Sequence, residues 1–180
     1  EEGGWKLAES LLEQAASACE DPRQLGLVYM RQGTVALRLG AYEKAVGAFD
    51  AAAKTWTGLE TEAQFNAGLT SVRQGNLRRA QTDLAALSAK GGAEALAAEL
   101  ELEIALRRAS DGHSQAVEML QAFVRKHPGH ARLGDARVAL AEICVKDAAL
   151  SQDMVGSQQA KALRVRAAAL LQTVANDQQS

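Results

Sequence analysis

A pattern of small residues repeats along this chain at an interval of 35 residues, and it restricts the possible fold more than any other feature. Each copy has a glycine, a second glycine, an alanine and a large apolar residue at fixed offsets. The positions are Gly33, Gly40, Ala45 and Phe49 in the first copy and Gly68, Gly75, Ala80 and Leu84 in the second. A third, partial copy consists of Ala116, Leu120, Phe123 and Pro128. Such spacing is typical of stacked helical hairpins, in which each hairpin buries its small-residue face against the next.

The composition agrees with helices. The 180 residues are 47% hydrophobic but only 4% aromatic, whereas sheets favour β-branched and aromatic side chains. The only two prolines, Pro22 and Pro128, leave long stretches in which helices are not interrupted. A chain of this length is also long enough to bury one continuous core. We therefore predict an all-α fold in a single domain.

The charge of the chain argues against several classes of partner. The formal net charge of −2 provides no basic field for a nucleic acid or an anionic membrane surface. No apolar run approaches the ~18 residues of a membrane-spanning helix, so we expect no direct membrane insertion. We expect no signal peptide, since four glutamates stand where its apolar segment would lie: Glu1, Glu2, Glu9 and Glu13.

The two cysteines, Cys19 and Cys144, belong to the first and the last predicted hairpins. Stacked repeats contact only their neighbours, so we expect no disulfide between them and interpret both as buried free thiols. The segment 16–19 resembles a lipoprotein cleavage site, but the glutamates upstream of it argue against that reading.

Apolar spacing predicts seven or eight helices in antiparallel pairs, with Gly40 and Gly75 ending two of them. The segment 99–104 alternates charged and apolar residues as a strand would. Its flanks are rich in strong helix formers, and Glu103 precedes Arg107 by four residues, so we predict a helix there. The predicted repeats cover about 1–22 (partial), 26–59, 61–92, 93–130 and 131–175.

These motifs resemble the tetratricopeptide repeat (TPR) family over nearly the whole chain. The first match runs from Tyr29 through Gly33 and Gly40 to Ala52, and the second from Phe65 to Leu87. Departures include Gln32, where the family usually has leucine. The resemblance implies a right-handed α–α superhelix, a TPR-like solenoid of about four antiparallel helix hairpins.

One segment matches a narrower group of proteins than the general repeat pattern does. The residues 120–128, with Asp135-Ala136 and 140–143 after them, resemble a variant repeat of bacterial envelope proteins of the barrel-assembly lipoprotein and Tol–Pal coordinator type. The same variant occurs in cytoplasmic bacterial proteins. The resemblance therefore implies a bacterial protein, with the periplasm or cell envelope slightly preferred over the cytoplasm.

In the TPR family, the first helix of each repeat lines a concave groove for a peptide or a partner helix. Carried over to this chain, ten residues would form that groove or its rim: Leu27, Met30, Arg31, Thr34, Arg38, Phe65, Asn66, Leu69, Val72 and Arg73. Met30 and Thr34 stand where the family's carboxylate-binding subgroup has polar clamp residues, so we expect an apolar groove with a basic edge. The alternative is that several of these residues only pack helix against helix.

No chemistry-bearing motif favours catalysis or a cofactor. The segment 112–116 resembles a nucleophile elbow around Ser114, but an elbow requires a preceding strand. Here a helix is predicted before it, and Ser114 is expected to cap the next helix. The three histidines lack the cysteine partners that zinc sites usually have. We interpret Glu99, Glu101 and Glu103 as a solvated face, and the pairs Arg78-Arg79 and Arg107-Arg108 as surface charge.

The sequence thus favours a non-enzymatic scaffold that binds a protein or a peptide, with no cofactor, no metal and no nucleic acid. A second hypothesis is a self-associating structural module of a bacterial envelope assembly. The incomplete first hairpin, which begins at exposed-looking Trp5 and Leu7, favours this homo-oligomer.

Overall fold

The computed structural model describes residues 2–152 and 157–177, and within these ranges the chain is helical with no strand. The prediction of an all-α fold is confirmed. The described residues form nine α-helices, one more than the upper estimate. They are α1 Glu2–Ala18, α2 Pro22–Arg38, α3 Tyr42–Thr55, α4 Glu60–Gln74, α5 Leu77–Ser88, α6 Glu94–Ser110, α7 Gln115–Lys126, α8 Leu133–Gln152 and α9 Ser157–Asp177. A short 3-10 helix, Thr57–Leu59, lies between α3 and α4.

The chain divides into two compact units, Glu1–Ile104 and Ala105–Ser180. In the first unit each helix from α1 to α4 packs against the next helix in sequence. In the second unit α7 packs against α8, and α8 packs against α9. The division falls inside α6 and inside the predicted repeat 93–130. The single domain and its repeat boundaries stay predictions.

Three of the helix-to-helix turns have the same geometry. Gly40, Gly75 and Gly112 adopt left-handed backbone angles, with φ of 73°, 87° and 74°. In each turn the glycine N–H donates to the carbonyl three residues earlier, at 3.0–3.2 Å. The next N–H donates to the carbonyl five residues earlier, at 2.8–3.0 Å. This is the Schellman C-cap, which favours glycine because a Cβ strains the left-handed conformation. The predicted stops at Gly40 and Gly75 are confirmed.

The other repeated glycines lie where helices approach closely, as the sequence predicts. A Cβ built on Gly33 would lie 2.5 Å from Cε1 of Phe49, a ring that is only 2% exposed. A Cβ on Gly68 would lie 2.6 Å from Cδ2 of the fully buried Leu100. Both distances are shorter than atoms can tolerate, so a side chain at either glycine would displace a core residue.

The segment 99–104 forms the middle of α6, so the choice of helix over strand is confirmed. Leu100, Leu102 and Ile104 are all fully buried. On a helix, Leu102 points about 200° away from Leu100, so α6 is covered on two sides. This double burial explains how an alternating pattern occurs in a helix, since Leu100 and Ile104 lie on one covered side and Leu102 on the other.

An ion-pair network links α3 to α5 within the first unit. Arg79 donates two hydrogen bonds to the carboxylate of Asp50, at 2.6 and 3.1 Å, and a third to Asp83 at 2.9 Å. Hydrogen bonding to Asp50 is the main cause that raises the pKa of Arg79. Burial raises the pKa of Asp83, although Arg79 opposes that shift. Arg79 is therefore a half-buried residue that is ion-paired with Asp50 and Asp83.

The N-termini of α2 and α7 differ in how they are capped. Pro22 opens α2, and the Asp21 carboxylate accepts the N–H of Arg23 at 3.0 Å, as an N-cap does. Ser114 precedes α7, but its side chain makes no capping hydrogen bond, because its backbone is already helical. The expected cap at Ser114 is therefore wrong.

Both cysteines are free thiols. Cys144 is buried with Ala141 and Ala167 between α8 and α9, as expected for a small apolar residue. Cys19 is only half-buried, and its thiol lies 3.5 Å from the carbonyl oxygen of Asp21. None of the described helices combines the length and the apolar character that crossing a bilayer would require.

The close approach at Gly33 predicts that alanine at two different glycines changes the free energy of unfolding in opposite directions. Gly33→Ala should lower the free energy of unfolding by about 1–3 kcal/mol, because the new methyl group must displace the buried ring of Phe49. Gly47→Ala, at an exposed position of helix α3 with no atom near the new Cβ, should raise it by about 0.5–1 kcal/mol. Urea unfolding measures both. A stabilised Gly33→Ala variant would contradict the close packing.

Candidate partner-binding groove

Part of the apolar surface of helix α1 is exposed to solvent. Leu7 is 62% exposed, Leu11 is 55% exposed and Trp5 is 40% exposed. On a helix, Leu7 and Leu11 lie one turn apart on the same face. Leu12 lies on the neighbouring, half-buried face that packs against α2. The apolar stripe of α1 therefore continues beyond its contact with α2 and ends in solvent.

A groove of about 450 Å³ runs between α1 and α2. Its α1 wall is apolar, and its α2 wall carries two arginines. The lining residues are Trp5, Ala8, Leu11, Leu12, Arg31, Thr34, Val35 and Arg38. At one end, Gly4, Trp5, Ala8 and Arg38 surround a wider opening of about 670 Å³. An apolar surface edged by polar groups is typical of a site that receives another molecule.

Polar contacts on the other side of α1 hold it in position. Lys44 of α3 donates to Glu9 at 2.7 Å and to Glu13 at 2.9 Å. The hydrogen bond to Glu9, followed by the one to Glu13, raises the pKa of Lys44. Gln32 of α2 donates to the backbone carbonyl of Leu12 at 3.1 Å. Gln32, the departure from the family pattern, thus joins α2 to α1.

The two arginines of the groove differ from Glu9 and Glu13 of α1. Glu9 and Glu13 are already paired with Lys44. Arg31 and Arg38 are exposed, and neither makes a hydrogen bond or an ion pair with any residue in the described ranges. The groove therefore carries two positive charges that make no ion pair within the described ranges.

The ten residues predicted for a concave groove have different degrees of exposure. Five are exposed: Leu27, Arg31, Thr34, Arg38 and Arg73. Four are half-buried: Met30, Phe65, Asn66 and Leu69. Val72 is buried, with 4% of its surface exposed, so it contributes little to an open surface.

Three of these ten residues, Arg31, Thr34 and Arg38, line the groove between α1 and α2. Met30, Phe65 and Leu69 are partly exposed, as an open groove requires, but Met30 also packs against the core cluster of α2, α3 and α4. Their role in binding stays a prediction.

Trp5 and Leu11 were not among the residues predicted for the groove. Trp5 and Leu7 were expected only to form a surface for self-association. The spacing of apolar residues in α1 could have indicated this wall. Leu7 and Leu11 form a second apolar row beside the row of Trp5, Ala8 and Leu12.

The histidines of the second unit take part in local packing. The rings of His127 and His130 lie 4.8 and 5.1 Å from the ring of the buried Phe123. The Nδ1 atom of His130 accepts the N–H of Arg132 at 3.2 Å. Across the described ranges, no three histidine, cysteine or acidic side chains come together in a way that could hold a metal ion. The absence of a metal or catalytic role for these residues stays a prediction.

The second unit also has exposed apolar side chains, but they are dispersed. Val145 and Leu150 of α8 and Val165 of α9 are 52%, 70% and 70% exposed. A depression of about 360 Å³ lies elsewhere, between the loop 128–132, the start of α8 and Val174. The lining of this depression does not combine an exposed apolar wall with two arginines, as the groove between α1 and α2 does.

No protein-family model matches this chain, and neither does any curated protein or solved structure. Its function must therefore be inferred from its own residues and their geometry.

The exposure of α1 yields a stability prediction. Leu11→Ser should change the free energy of unfolding by less than about 0.5 kcal/mol, because the side chain is largely in solvent. The matched substitution Leu87→Ser, at a fully buried leucine of α5, should cost at least about 2–5 kcal/mol. Chemical unfolding of the two variants measures this difference. A comparable loss at Leu11 would show that the apolar face of α1 is covered in solution.

Proposed function

We propose that this protein is a non-enzymatic interaction module that binds a peptide or a partner helix in the groove between α1 and α2. The observation that carries the proposal is the juxtaposition of an exposed apolar wall, with Trp5 and Leu11, and a wall with the unpaired Arg31 and Arg38. Large side chains in a groove are typical binding hot spots, whereas charges at a rim mainly affect the association rate. Such a surface benefits the protein only when a partner covers it.

We also propose that the helices form a TPR-like solenoid. Support comes from the 35-residue repeat, in which Gly33 and Gly68 both lie at close helix contacts. The recurrence of one C-cap geometry at Gly40, Gly75 and Gly112 supports it further. Repeat arrays of this type act mainly by presenting surfaces to partners.

A second candidate function is self-association as a structural module. The exposed apolar face of α1, with Leu7 at 62% exposure, favours this alternative. A symmetric dimer could bury this face against its own copy. Light scattering separates the two functions, because a module that binds other partners should remain monomeric on its own.

Site-specific photo-crosslinking tests the leading proposal. A benzophenone amino acid in place of Thr34, which lines the groove, should crosslink partner proteins in a bacterial extract. Thr82 of α5 is the matched control, since both threonines are exposed and both hydroxyls donate to the carbonyl four residues earlier. The crosslinks from position 34 should disappear when Leu11→Glu places a charge on the apolar wall. Identical products from positions 34 and 82, or products that persist with Leu11→Glu, would contradict the proposal.

A further inference from the structure

We infer that the groove between α1 and α2 binds an acidic amphipathic helix with two carboxylates seven residues apart. The inference rests on the proposed function and specifies the chemistry of the partner. It follows from the position of the two unpaired arginines, the apolar wall beside them, and the pairing of Glu9 and Glu13 with Lys44.

The spacing of the arginines determines the spacing of the acids. Arg31 and Arg38 are seven residues apart on α2, two turns of helix, so their Cα atoms are separated by about 10 Å along the axis. Thr34 and Val35 lie between them on the same face and complete the α2 wall. A helix aligned with α2 offers the same separation between residues i and i+7. One carboxylate would then face each arginine.

The apolar wall determines which other residues such a helix needs. Trp5 and Leu12 are also seven residues apart, on a helix that packs beside α2. Apolar residues of the partner at i+3 and i+4 would lie between its two carboxylates and contact Trp5, Ala8 and Leu11. Anchors at i, i+3, i+4 and i+7 are the usual way for a helix to occupy a groove.

A second copy of this chain fits the groove less well. The exposed face of α1 presents Leu7, Leu11 and Gln14, with Lys6 at its border. Glu9 and Glu13 of α1 are held by Lys44 on the other side of the helix. A second α1 would bring its apolar face to the groove while these two carboxylates stay paired with Lys44. Charge complementarity therefore favours a partner with free carboxylates beside its apolar residues.

Synthetic peptides test the inference without knowledge of the natural partner. The first peptide is a labelled 14-residue helix with glutamates at i and i+7 and leucines at i+3 and i+4. The second has the same composition but carries its glutamates at i+2 and i+9, on the opposite face. Fluorescence anisotropy should show that the first peptide binds roughly tenfold more tightly, with an affinity that falls as salt increases.

Charge reversal provides a second, independent measurement. The variant Arg31→Glu/Arg38→Glu should no longer bind the first peptide. It should instead bind a third peptide with lysine at i and i+7. Arg78→Glu reverses an exposed arginine on α5 and should keep the original preference. Circular dichroism of each variant verifies that it remains helical.

Several outcomes would overturn the inference. Equal affinity for the first two peptides would show that the arginines do not recognise carboxylates at i and i+7. The groove itself would then still be a site for an apolar helix. Equal binding of the first peptide with a central proline would show that the occupant is not helical. A dimer of the protein alone that Leu11→Glu dissociates would identify a second copy as the occupant. Because crosslinking from position 34 tests the groove without any assumption about charge, the failure of this inference is distinguishable from the failure of the proposed function.

Discussion

The close approach of helices at glycine is the constraint on which the first unit depends. At Gly33 the ring of Phe49 occupies the volume that a side chain would need, and at Gly68 a methyl group of Leu100 does so. These contacts bring α2 against α3 and α4 against α6 with few aromatic residues in the core. The 35-residue repeat of small residues follows from this geometry, since each hairpin has to leave space for a bulky residue of another helix.

The same packing leaves α1 with an uncovered surface. Lys44 holds α1 through Glu9 and Glu13, which fixes the charged side of the helix towards α3. Because its polar residues are fixed in this way, the row of Leu7 and Leu11 points into solvent. The polar attachment on one side thus accompanies an exposed apolar surface on the other. This arrangement connects the stability of the first unit with its proposed function.

Much of the fold could be predicted from the sequence, because its signals are local. The glycine stops at Gly40 and Gly75 depend on a few neighbouring residues, and helix formation in α6 on the propensity of its flanks. Only part of the candidate site could be predicted from the sequence. Arg31 and Arg38 were proposed from the family resemblance, whereas Leu11 was not. The exposure of Leu11 depends on contacts between α1 and α3, about 30 residues apart, and residue spacing alone does not determine such pairings.

Nuclear Overhauser effects in a complex with the acidic helix test the central claim most directly. With an isotope-labelled protein and an unlabelled peptide, the leucine methyl groups of the peptide should show contacts to the indole of Trp5 and the methyl groups of Leu11. That result would place the bound helix between α1 and α2. Contacts to Phe65 and Leu69 of α4, with none to Trp5, would contradict the account and favour the concave groove that the family resemblance implies.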